Sequence, residues 1–92
     1  MGSQPKDNAP KDISYYRFDF DKEAMPEGIK SDTIVERNRK IVRNVVKFRD
    51  VQATYLKVSY DYGAEFYFKN STSISQTNYT LDLNNFKAQL KN

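Results

Sequence analysis

The stretch from Thr33 to Asp50, TIVERNRKIVRNVVKFRD, constrains the chain most, because its apolar residues recur at helical spacing. At about 100° per residue, Ile34, Val35, Ile41, Val42, Val45, Val46 and Phe48 share one arc of roughly 160°, the width of a helix lying on a sheet. Glu36, Arg39, Lys40, Arg43, Lys47 and Asp50 gather on the opposite arc, with Arg37 on its flank. Thr33 followed by Glu36 fits a capping box, and Pro26 and Gly28 break any earlier helix. The spacing predicts an amphipathic helix over 33–50, about 27 Å long at about 1.5 Å per residue. Asn38 falls inside its apolar arc and requires a hydrogen-bond partner there.

Composition narrows the chemistry. The 92 residues include no cysteine and no histidine, which removes disulfides, thiolate nucleophiles and the side chain that titrates nearest neutral pH. No nucleophile–base pair or phosphate-cradling glycine loop is present, and Asp19, Asp21 and Glu23 lack the glycine turn of a calcium loop. The reading is therefore of a chain that is no enzyme and carries no metal or cofactor. Net charge is +3. Residues 36–50 hold six Lys and Arg against two acids, a net of +4, so this one segment carries the whole excess. Seven tyrosines and six phenylalanines supply a core and argue against global disorder. No run approaches the ~20 apolar residues of a membrane-spanning helix.

The remaining chain reads in order. Residues 1–12 contain two prolines and no periodicity, the pattern of a disordered tail or tether, with Met-Gly-Ser resembling a cloning remnant. In 13–21, Tyr16, Phe18 and Phe20 alternate with polar residues, which predicts a half-buried strand. Leu56, Val58 and Tyr60 on one side, and Ala64, Phe66 and Phe68 on the other, predict a hairpin. A three-residue loop, Asp61-Tyr62-Gly63, sets Leu56 opposite Phe68, Val58 opposite Phe66 and Tyr60 opposite Ala64, matching apolar to apolar. The other face then aligns Tyr55 with Lys69, Lys57 with Tyr67 and Ser59 with Glu65. Residues 70–78 read as a polar loop. Tyr79, Leu81 and Leu83 alternate as a last strand before a short helix at 85–91; a helix starting at Thr80 competes with that reading.

These elements give an α+β fold of order β-α-β-β-β-α over residues 13–92. It would be a two-layer sandwich in which one long amphipathic helix crosses an antiparallel sheet of three to four strands, with a short C-terminal helix. Two surfaces emerge. Arg37, Arg39, Lys40, Arg43 and Lys47 would form a basic helix ridge able to track phosphates, the basis of a nucleic-acid-binding alternative. Tyr55, Lys57, Tyr67 and Lys69 would form an aromatic, basic strip on an open sheet face, suited to a protein partner. The primary expectation is a small protein-interaction module, a domain of a longer or tethered protein.

Overall fold

The computed structural model describes residue 10, residues 12–20 and residues 22–90. It contains five strands and one helix: β1 (Gly28–Val35), β2 (Arg39–Phe48), β3 (Val51–Tyr60), β4 (Glu65–Lys69), β5 (Thr72–Ile74) and α1 (Gln76–Leu90). A short 3-10 turn, Ile13–Tyr16, precedes them. The strands form one antiparallel sheet in the order β1-β2-β3-β4-β5, a meander in which each strand pairs with its neighbours in sequence. The α+β class stands, but the expected β-α-β-β-β-α order does not. Among the described residues there are five strands rather than three to four, and no helix lies between the first two.

The segment 33–50 is the tail of β1, a bend and the whole of β2, closed by the turn into β3. Its apolar residues come in adjacent pairs, 34/35, 41/42 and 45/46, a pattern that suits a strand covered on both faces as well as a helix covered on one. Six of the seven are Ile or Val, whose branched Cβ favours the pleated chain. Asn38 is no buried amide: it sits in the bend after Glu36, whose N–H donates to the Arg39 carbonyl at 2.9 Å, and its own carbonyl accepts the Asp61 N–H at 3.1 Å. Arg49, at φ +57, turns the chain between β2 and β3, and its N–H donates to the Glu27 carboxylate at 2.7 Å.

The β3–β4 hairpin has the expected register: Leu56 opposes Phe68, Val58 opposes Phe66, and Tyr55, Lys57 and Ser59 oppose Lys69, Tyr67 and Glu65. Its three-residue loop closes through Tyr60 N–H to the Ala64 carbonyl at 2.9 Å, and Gly63 takes the φ of +99 that a side chain would strain. The polar run after it holds a second tight hairpin, β4–β5, whose two loop residues, Asn70 and Ser71, both have positive φ.

Both sheet faces are covered, by different means. On one lie Ile41, Val45, Leu56, Val58, Phe66 and Phe68, over which an N-terminal strap, Asp12–Phe20, sets Ile13, Tyr16 and Phe18, with Met25 beside them. The strap opens with the 3-10 turn Ile13–Tyr16 and joins no strand, so the expected strand at 13–21 is corrected: its polar groups are met within that turn or by single bonds to the sheet. The Phe18 N–H donates to Thr54 Oγ1 at 3.2 Å, and the Tyr16 carbonyl accepts from Arg43 at 3.2 Å. Of the expected disordered tail, residues 1–9 and 11 lie outside the described residues, while Asp12 accepts two hydrogen bonds from the Arg39 guanidinium at 2.6 and 3.2 Å.

The other face carries Val46, Ala53, Tyr55 and Tyr67, and α1 lies on it through Tyr79, Leu83 and Phe86. Ser75 caps the helix, its Oγ accepting the Asn78 N–H at 3.1 Å. Positions 79, 83, 86 and 90 share one helical face, so the helical reading of this segment replaces the expected strand at 79–83, and the helix begins four residues before Thr80.

Candidate protein-interaction edge

The residues singled out from sequence are dispersed by this fold. Because 39–48 is a strand, successive side chains alternate between faces. Arg39, Arg43 and Lys47 go to the strap face, Lys40 goes to the helix face, and Arg37 sits exposed in the bend, so no basic ridge exists. Arg39 lies with its guanidinium carbon 5.9 Å from each of the Tyr16 and Tyr60 ring centres. It binds Asp12 and Glu36, and its own pKa is raised, chiefly by the hydrogen bond to Asp12. Arg43 grips the Asp32 carboxylate with two parallel bonds of 2.9 and 2.6 Å. Both arginines hold the fold together.

The tyrosine strip is corrected as well. Tyr55 is fully buried and Tyr67 nearly so, because α1 covers the face expected to be open. The Tyr55 hydroxyl donates to Asp82 of α1 at 2.9 Å, and Tyr67 donates to Glu65 at 3.0 Å. Lys69 Nζ stands 3.9 Å from Asp82 and 5.9 Å from the Tyr55 ring centre, and Lys57 Nζ 3.6 Å from Glu65 and 6.0 Å from the Tyr67 ring centre. What looked like an aromatic and basic contact strip is the seat of the helix.

Burial pushes the Tyr67 hydroxyl up to about 12, with the Glu65 carboxylate adding to it. Burial, then Asp82, raises Tyr55 in the same direction. A phenol whose folded pKa lies above its ordinary 10.0 contributes stability that is whole below pH 10 and is lost as pH rises through the folded value. The urea midpoint is expected to fall between about pH 10 and 12, and Tyr67→Phe should make that fall shallower. An equally steep fall in Tyr67→Phe would exclude Tyr67 as a cause.

With both faces covered, the open backbone is at the sheet edges. β5 is only three residues long. β1 is eight residues, contains no proline, and pairs on one side alone. The hydrogen bond from the Glu36 N–H to Arg39 sets the alternation along the β1–β2 ladder, so residues 28, 30, 32 and 34 bond to β2. The N–H and C=O groups of Ile29, Ser31, Thr33 and Val35 therefore point away from the sheet. No backbone hydrogen bond to them exists among the described residues. Lys30 and Asp32 stand on the strap face of the strand, with Lys30 Nζ 5.8 Å from the Phe18 ring centre. On the helix face, the Ser31 hydroxyl bonds Asn44, whose amide donates to Tyr79 at 3.1 Å, and Val35 is 77% exposed.

Sequence reasoning missed β1 because Pro26 and Gly28 read only as breaks ahead of the helix, and 33–35 as its first turn. The signal available was the run Ile29–Val35, where Thr33, Ile34 and Val35 are all β-branched. Among the described residues, no group of three potential metal-ligating side chains occurs, and no helix is long and apolar enough to cross a membrane. Compared with known proteins, the chain matches no family model, no curated protein and no solved structure.

Proposed function

We propose that this chain is a non-enzymatic protein-interaction module that takes up an extended segment of a partner beside β1 as a sixth strand. The observation that carries this reading is an eight-residue edge that no other strand among the described residues pairs, in a sheet whose two faces are already covered. An unpaired strand edge is a template for another chain, and strand addition uses its main-chain bonds for affinity and alternate side chains for selectivity. Here the alternate side chains are Lys30 and Asp32 on one face and Ser31, Thr33 and Val35 on the other.

Two capped ten-residue peptides, one alternating Val with Lys and one alternating Val with Glu, provide the test in an amide-resolved NMR titration. At least one should shift the amides of Ile29, Ser31, Thr33 and Val35 ahead of all others. Ser31→Pro should remove the response without unfolding the protein, because that N–H makes no bond to β2 and proline is tolerated at a strand edge. Silence of all four amides toward both peptides at millimolar concentration would end this reading.

A further inference from the structure

From the charge pattern of β1 we infer that the strand it accepts is β1 of a second copy of this chain, paired antiparallel about a two-fold axis through Ser31. The inference rests on the edge-binding reading above and gives that edge its partner. Two identical edge strands that continue one sheet must place opposing residues on the same face, and outward-pointing backbone groups must meet one another. Only a few registers satisfy both conditions.

The charges choose among them. A pairing centred on Lys30 sets two ammonium groups face to face, and one centred on Asp32 opposes two carboxylates. Centring on Thr33 sets Asp32 against Ile34 and keeps only residues 31–35 of each strand in the overlap. Centring on Ser31 overlaps residues 28–34 and sets each Lys30 opposite the other copy's Asp32. This is also the register in which Ile29, Ser31 and Thr33 exchange bonds with Thr33, Ser31 and Ile29 of the second copy, about six hydrogen bonds in all. Lys30 and Asp32 then occupy the non-hydrogen-bonded positions, where opposing Cα atoms approach to about 4.5 Å and side chains are closest. Asp32, held by the Arg43 fork at 2.6 and 2.9 Å, presents a fixed carboxylate, and Lys30 is exposed beside it. The result is a continuous ten-stranded sheet with one strap and one helix per copy on its two faces.

The chain has no cysteine, so an introduced one is its only thiol. The two copies of Ser31, a hydrogen-bonded pair in this ladder, lie about 5.5 Å apart at Cα, within disulfide reach. Ser31→Cys should give a covalent dimer with diamide as oxidant. Thr33→Cys should not, since the two copies of that position stand about 14 Å apart along the strands at about 3.4 Å per residue. In sedimentation equilibrium the unmodified chain should show a concentration-dependent dimer. Lys30→Glu should weaken it on the order of tenfold, as should Asp32→Lys, and an equimolar mixture of the two variants should restore it, because every opposed pair is then of opposite sign. Lys30→Glu changes an exposed side chain and keeps the test meaningful if Asp32→Lys fails to fold.

A monomer at every concentration, or equal cross-linking at 31 and 33, overturns the inference. The two readings separate cleanly: a monomeric chain whose β1 amides still answer the Val-Lys or Val-Glu peptide keeps the edge and loses the second copy. A monomer whose edge answers neither peptide loses both.

Discussion

Replacing Tyr55 by alanine is expected to lower the unfolding free energy by about 3–5 kcal/mol, the range found when a large buried ring is truncated in a packed core. The ring is fully buried and meets the rings of Tyr79 and Phe86 edge-on, at 6.1 and 6.3 Å between centres, so its loss opens a cavity between β3 and the middle of α1. A chain of 92 residues has a total stability of only about 5–14 kcal/mol, so the variant loses a large fraction of it. Tyr55→Phe separates the two parts of the effect: it keeps the ring and removes the bond to Asp82, and should cost about 1 kcal/mol. Urea titration by circular dichroism measures both. The prediction discriminates sharply, because a tyrosine on an open sheet face would change stability by less than about 0.5 kcal/mol on truncation. A Tyr55→Ala midpoint equal to that of the unaltered chain would mean that α1 does not pack on this face.

Tyr55 also shows how a correct register can accompany a wrong surface. Matching apolar residues across β3 and β4 fixed the hairpin and its loop, since a one-residue slip would oppose Val58 to Tyr67 and Tyr60 to Glu65. Register is decided locally, between the two strands of the hairpin, whatever lies above the sheet. Which face is solvated is a long-range question. The helical spacing of 33–50 offers a false cover, because it arises from two-sided burial of a strand and from a bend without glycine or proline. Once that helix is removed, the face bearing Tyr55 and Tyr67 needs α1, and the face bearing Leu56 and Phe68 needs the strap. The candidate edge was illegible for the same reason, because β1 exists only as the partner that β2 requires. The period-two pattern of Tyr16, Phe18 and Phe20 was legible, and their burial side with it. The 3-10 turn at Ile13–Tyr16 and the absence of a ladder were not, since an irregular strap and a strand can share the same alternation of buried residues.

The strap is where the largest loss of stability is expected. Removing residues 1–26 should abolish cooperative unfolding, leaving a chain without a sigmoidal thermal transition by circular dichroism. Ile13, Phe18 and Met25 are each at least nine-tenths buried. Burying such side chains contributes about 1.5–3 kcal/mol apiece, or about 5–9 kcal/mol together, comparable with the entire stability of the domain. The loss is compounded beneath them, where Ile41, Leu56 and Phe68 would face water. Phe18→Ala tests the same contact less drastically and should cost about 3–5 kcal/mol. A truncated chain that still melts cooperatively at the original temperature would show the strap to be a passenger. Acid should loosen the strap before it unfolds the sheet. Arg39 lowers the Asp12 carboxyl below its ordinary 3.8, and the Tyr16 hydroxyl together with Arg39 lowers that of Glu36 below 4.5. Carboxyls depressed in the folded state stabilise it above their unfolded values, and that contribution disappears as pH falls through the folded ones. Amide exchange at Phe18, bonded to Thr54, should therefore lose protection as pH drops below about 4, while the β2–β3 ladder at Ile41 and Val58 keeps its own. Arg39→Gln should produce that selective loss already at neutral pH, because it uncouples Asp12 and Glu36 from the cation that joins strap to sheet.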